Sequence, residues 1–140
     1  MSDVQQTLVL VKPDGVRRAL VGQIVARYEA KGLTPIALEL RTIDAEFAAR
    51  HYAEHVGRPY YPALEAFITS GPLVAMVWEG ERAIEAVRAL NGATDAALAD
   101  AGTIRGDLSL SNRENLVHAS DSPQSAAREI QLWFPQLAQL

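Results

Sequence analysis

Thr7 to Val11 (TLVLV) is an unbroken apolar, β-branched run that stops at Lys12-Pro13-Asp14-Gly15. A run without polar alternation is the pattern of a central strand buried on both faces. The elements that follow are more ordinary. Leu20, Ile24 and Tyr28, with Val21 and Val25 beside them, recur at helical spacing, and Gly32 is a good stop. Ile36, Leu38 and Leu40 alternate with Pro35, Ala37, Glu39 and Arg41, which reads as a half-buried strand. Asp44 to Tyr52 and Pro62 to Ile68 read as short helices joined through Gly57-Arg58-Pro59. Ser70 to Gly80 is a third strand bounded by glycines, and Ile84, Val87 and Leu90 form the inner face of another helix.

Asn91 to Asn112 carries little periodicity. A structureless loop of that length is uncommon in a compact domain and usually functional or partner-bound. Asn115 to His118 reads as a short fourth strand. Ser122 then caps a last helix, with Pro123 at its first position and Ala126, Ile130 and Trp133 on one face. The order β-α-β-α-α-β-α-β-α suits an α+β, ferredoxin-like split βαβ with added helices. A doubly wound parallel sheet is the second choice.

Length and charge narrow the class. At 140 residues the chain makes one domain, 1–140, able to bury a core. A formal charge of −4 argues against general nucleic-acid binding. There is no cysteine, which excludes disulfide and thiolate chemistry. The start MSDVQQ lacks a signal pattern and no apolar run approaches membrane-spanning length, so a cytoplasmic protein is expected.

The chemistry centres on Arg113 to Ser122, RENLVHASDS. His118 beside Ser120 and Asp121 invites a Ser-His-Asp reading, but triad members usually lie far apart in sequence, and no G-x-S-x-G elbow is present. On a regular strand Asn115 and His118 face opposite sides, so they share a pocket only if the strand ends between them. The bland reading of His118 is a polar residue at a strand terminus.

Phosphate chemistry explains more. Neither G-x-x-x-x-G-K-[ST] nor G-x-G-x-x-G occurs, which leaves a cage of cationic side chains. Lys12 ends the buried first strand, Arg58 sits in a turn, Arg88 on a helix and Arg105 in the long loop, within GTIRGD. Each alone reads as a solvated surface charge; Lys12 is hardest to dismiss, because a cation ending a buried strand needs a partner. A neutral imidazole can attack phosphorus without a separate base, provided an acceptor holds its other nitrogen. Glu129 and Ser120 are the candidates for that acceptor, although Glu129 also reads as a surface carboxylate. His51 and His55 are one helical turn apart, yet H-E-x-x-H is absent, so an exposed helix face is expected there in place of a zinc site. Tyr60-Tyr61 reads equally as core or as a stacking platform.

TLVLVKPDGV, HYAEHVGRPYYPAL, SGPLVAMVWEG, GTIRGD and NLVHASDS, in this order and spacing, resemble nucleoside diphosphate kinase. The likeness runs from about Thr7 to Phe134. It implies a ferredoxin-like fold and ping-pong transfer of a γ-phosphate from a nucleoside triphosphate (ATP) to a nucleoside diphosphate, with His118 phosphorylated on Nδ1. By the same resemblance Lys12 contacts phosphate and the sugar hydroxyl, and Asn115 meets that hydroxyl. Arg88, Thr94 and Arg105 bind phosphate, Tyr52 lies by the histidine, Ser120 and Glu129 stand behind it, and Tyr60 stacks on the base. Mg2+ is then carried mainly by the nucleotide, with no dedicated protein metal site. A homo-oligomer follows, a hexamer favoured over a tetramer, with no membrane and no specific nucleic acid as partner. A non-catalytic nucleotide-binding or interaction module is the alternative. The sequence departs from the common pattern at Ala119, where glycine is frequent, at Arg113-Glu114, and at Ala96 and Ala101, where many members have proline.

Overall fold

The computed structural model describes residues 3–138, so the two ends of the expected 1–140 domain lie outside the described residues, as do the first two residues of MSDVQQ. Strand β1 (Val4–Val11) lies inside a four-stranded sheet, between β3 (Leu73–Glu81) and the short β4 (Val117–Ala119). The remaining edge is β2 (Thr34–Arg41), and the order is β2-β3-β1-β4. Every pairing is antiparallel, which excludes the doubly wound alternative and gives the split βαβ arrangement.

The strand period of two divides the core. Val9 and Val11 with Val74, Met76 and Trp78 face one side, against helices α2 (Val21–Lys31) and α5 (Ala83–Asn91). Leu8 and Leu10 with Leu73, Ala75 and Val77 face the other. There they meet α3 (Ala45–His51), α4 (Tyr61–Ile68) and α7 (Pro123–Trp133). Leu8, Val9, Leu10 and Val11 are all fully buried, as the unbroken run requires. Each such side chain stabilises the fold by ~1.5–3 kcal/mol relative to exposure. The helix starts follow their caps. Asp44 accepts from Phe47 N–H at 2.8 Å, and Ser122 accepts from Ser125 N–H at 3.1 Å. Gly32 ends α2 at φ 107°, in the left-handed region.

Three expectations are corrected. Lys12-Pro13-Asp14-Gly15 does more than stop β1: Pro13 opens a short helix α1 (Pro13–Arg17), with Asp14 and Gly15 buried. The Asn91–Asn112 segment is not structureless. It holds a 3-10 turn (Ala96–Leu98) and helix α6 (Ile104–Leu108), pinned by Arg27 on Asp107 at 2.9 Å. Elements this short show no periodicity. Finally, β2 exists but its apolar row is not half-buried. Ile36, Leu38 and Leu40 are 38%, 54% and 63% exposed, because β2 is an edge strand and a bulge between Pro35 and Ala37 shifts its register.

Candidate functional site

Leu116 decides the site. Its φ of 76° is left-handed, and Val117 N–H bonds the Asn115 carbonyl at 2.9 Å, which closes a three-residue γ-turn. This φ-positive γ-turn is rare and strained, by ~1–3 kcal/mol for a non-glycine residue. Neighbours hold it on every side. Lys12 N–H donates to the Leu116 carbonyl at 2.8 Å, and Leu116 N–H donates to Asp14 Oδ2 at 3.1 Å. The Arg105 guanidinium donates to the Asn115 carbonyl at 3.2 Å and to the Val117 carbonyl at 2.6 Å. The break between Asn115 and His118 therefore precedes β4. The expected strand over Asn115–His118, ending between the two, is replaced by a turn followed by a strand.

The turn lets Asn115 and His118 line one cavity of about 320 Å³ together with Lys12, Arg88, Thr94 and Arg105. Larger hollows lie against Gln5 and Pro123, about 490 Å³, and between Arg50 and Pro135, about 750 Å³. Neither is lined by a candidate nucleophile, so the smaller one is the candidate site.

Lys12 is buried and its Nζ donates to Asn115 Oδ1 at 3.0 Å. Burial, and then the Arg105 charge, pull its ammonium down to about 8, against the opposing pull of Asp14. Asn115 is oriented without ambiguity, since its Nδ2 donates to the Thr94 and Asn112 carbonyls at 2.9 and 3.2 Å. Arg105 is not a solvated loop charge. It is 8% exposed and also donates to the Gly92 carbonyl at 2.8 Å. Arg88 remains exposed, with one long 3.4 Å contact to the Asp121 carbonyl, and is free to swing onto an anion.

His118 Nε2 lies 2.8 Å from Glu129 Oε1, and the same oxygen accepts from Ser120 Oγ–H at 2.9 Å. A carboxylate only accepts, so Nε2 carries the hydrogen and, in the neutral ring, Nδ1 keeps its lone pair. Ser120 is itself locked to β1, since its hydroxyl oxygen accepts from Leu8 N–H at 3.2 Å. Glu129 is 6% exposed, so the surface-carboxylate reading is overturned.

The expected exposed face at His51 and His55 is also corrected. His51 is 3% exposed and its ring meets the His118 ring at 4.8 Å and 79°. Trp133 Nε1–H donates to its Nδ1 at 3.0 Å. Burial, then the neighbouring His118, hold its imidazole well below the usual range, so it stays neutral. Tyr52 packs on His51, rings 4.6 Å apart, and so stands one ring behind His118. Burial pushes its phenol well up. Tyr60 is exposed on the rim, its hydroxyl 2.6 Å from Nδ1 of the cavity-lining His55. Sequence reasoning missed His51, Asp14 and the γ-turn, because none leaves a local pattern. Among the described residues no group of three or more His, Cys, Asp or Glu could hold a metal.

The family model described as nucleoside diphosphate kinase matches residues 5–138. A nucleoside diphosphate kinase of Nocardioides sp. is 66% identical over 132 residues, covering 94% of this chain and 98% of that one. One from Cutibacterium acnes is 66% identical over 137 residues, covering 98% and 99%. Among solved structures, the halophilic nucleoside diphosphate kinase of Halobacterium salinarum in complex with CDP superposes with a TM-score of 0.91 at 51% identity, covering 93% of this chain and 87% of that one.

Proposed function

This chain belongs to the nucleoside diphosphate kinase family, and on that premise we propose that His118 Nδ1 carries the phosphoryl group between two nucleotides. The activity is that of a nucleoside-diphosphate kinase, a phosphotransferase that moves the terminal phosphate of a nucleoside triphosphate to a nucleoside diphosphate. The observation that carries the residue assignment is the Glu129 contact at 2.8 Å, which leaves Nδ1 as the free nitrogen.

In the first half-reaction the Nδ1 lone pair attacks the γ-phosphorus. An N–P bond forms, the bond to the bridging oxygen breaks, and the diphosphate leaves with that electron pair. An incoming diphosphate then attacks the same phosphorus through a terminal oxygen, and the N–P electrons return to Nδ1. The Nε2 proton stays on His118 throughout, because Glu129 stabilises the positive ring of the intermediate. Phosphoryl transfer of this kind depends on positioning and charge neutralisation. Lys12, Arg88 and Arg105 supply the charge, Thr94 a hydroxyl and Asn115 a sugar contact. Tyr60 offers a ring face to the base, and Tyr52 and Ser120 hold the wall. The Halobacterium relative's complex with CDP supports nucleotide binding by this chain.

Mg2+ enters as part of the nucleotide substrate and neutralises the phosphate oxygens. The cavity itself offers one carboxylate, Asp121, too little for an all-protein site. The exposed apolar row Ile36, Leu38 and Leu40 on an edge strand supports a homo-oligomer; a hexamer in preference to a tetramer is what the family resemblance implies. The family match over residues 5–138 supports one domain across 1–140. A cytoplasmic site of action is part of the proposal; among the described residues no helix is long and apolar enough to cross a membrane.

The test is to mix the protein with ATP labelled at its γ-phosphate. The chain becomes labelled in an acid-labile, alkali-stable form, and GDP discharges the label. A chain that takes no label contradicts the reading.

A further inference from the structure

We propose that Asp14 is a positioning residue for phosphoryl transfer: its carboxylate holds the γ-turn at Leu116 that brings Asn115 and His118 into one cavity, and its charge balances Lys12. This rests on His118 being the phosphoryl carrier.

Asp14 does not line the cavity, and its contact with the site runs through Leu116. It is a carboxylate only 3% exposed, and a buried charge persists where something requires it. One oxygen accepts from Leu116 N–H at 3.1 Å, while the other finds no protein partner among the described residues. Leu116 is the one residue between Asn115 and Val117, and its φ of 76° is the reason that two positions three apart serve one pocket. Without Asp14 its N–H is buried and unsatisfied, and the turn loses an anchor.

Lys12 N–H takes the carbonyl of the same residue at 2.8 Å, so Lys12-Pro13-Asp14-Gly15 grips Leu116 at both ends. The grip is close. A Cβ on Gly15 would meet the Leu116 carbonyl oxygen at an ordinary 3.5 Å but would lie 2.7 Å from Val11 Cγ1 at the end of β1. Glycine is what lets the block sit there.

The charge role follows from what faces Lys12. Arg105 from α6, Arg88 from α5, His118 from β4 and His55 beyond α3 line the cavity, His51 at the end of α3 packs behind His118, and Asp121 before α7 is the one carboxylate in the wall. Burial, and then Arg105, lower the Lys12 ammonium, and Asp14 is the group that raises it. Burial raises the carboxyl of Asp14 in turn, against the pull of Lys12 and of backbone N–H groups. Removing the Asp14 charge therefore makes Lys12 lose its proton at lower pH.

The experiment is rapid-mix labelling of the full chain with γ-labelled ATP across a pH series, for the parent, Asp14→Asn and Asp14→Ala. Asp14→Asn keeps an acceptor for Leu116 N–H; it retains most of the parent's rate on the acid side of its alkaline limb, but that limb moves down by on the order of one pH unit. Asp14→Ala loses acceptor and charge, and its rate falls about 10²-fold. A purely structural role leaves the limb in place. An alkaline limb for Asp14→Asn at the parent's pH overturns the inference alone, whatever the rate of Asp14→Ala. If Asp14→Ala does not fold, the Asn variant decides: a moved limb upholds the proposal and an unmoved one overturns it. A parent protein that takes no label overturns this proposal together with the assignment of His118.

Discussion

Glu129 Oε1 and His118 Nε2 are 2.8 Å apart, and that contact determines which nitrogen of the ring faces the cavity with a lone pair. Ser120 donates to the same carboxylate oxygen at 2.9 Å, so the acceptor is fixed from two directions. Replacing Glu129 with alanine frees the ring to change tautomer and to turn. The labelling rate should fall about 10²-fold with substrate KM little changed. Glu129→Gln keeps a carbonyl oxygen able to accept from Nε2–H and should lose much less. Equal losses in the two variants would contradict the tautomer argument.

Lys12 supplies the second test. A nucleotide phosphate needs its ammonium charged, and in the free protein that charge is lost as pH rises through about 8. The kcat/KM profile, which reports the free enzyme, should therefore decline on its alkaline side near that value. Lys12→Arg should move the decline out of the accessible range while lowering the rate, because the guanidinium keeps its charge and differs in shape. An alkaline limb that ignores the substitution would remove Lys12 from the phosphate site.

His51 makes stability depend on pH in a definite direction. Its folded imidazole titrates well below the usual value because it is buried, whereas the unfolded chain binds a proton near ~6.5. Below that pH the unfolded state holds the extra proton, so stability falls as pH drops and levels off above it. The slope approaches about 1.4 kcal/mol per pH unit. His51→Gln can still accept from Trp133 Nε1–H and lacks the titration. The difference in Tm between pH 5 and pH 8 should be smaller in that variant than in the parent. An equal difference would show that His51 is not the source.

The apolar edge gives a fourth test. Leu40 is 63% exposed on β2, and a carboxylate there should repel a partner while leaving the monomer's core intact. Light scattering on Leu40→Glu should report a smaller assembly than the parent. An unchanged mass would move the subunit contact away from this strand.

Much of this was legible before any coordinates. The unbroken run Thr7 to Val11 announced a central strand, and its strict alternation between two cores is what the sheet shows. Ser122 and Asp44 marked helix starts because side-chain caps act locally. The family resemblance named His118, Lys12, Asn115, Arg88, Thr94 and Arg105, and all six line one cavity. Other features were not readable. Burial of His51 against Trp133 joins residues on two helices, and nothing near His51 in sequence marks it. The left-handed Leu116 is bulky and apolar, a residue type that avoids that region, so only its tertiary anchors reveal it. The exposed row of β2 looked like a core face because alternation says which residues share a side, never whether that side is covered.

The most direct measurement is phosphorus NMR on the isolated phosphoenzyme, correlated to the imidazole protons and combined with fragment mapping. The account predicts phosphorus on Nδ1 of His118, with Nε2 still bonded to hydrogen. Phosphorus on Nε2, or on any other residue, would contradict it.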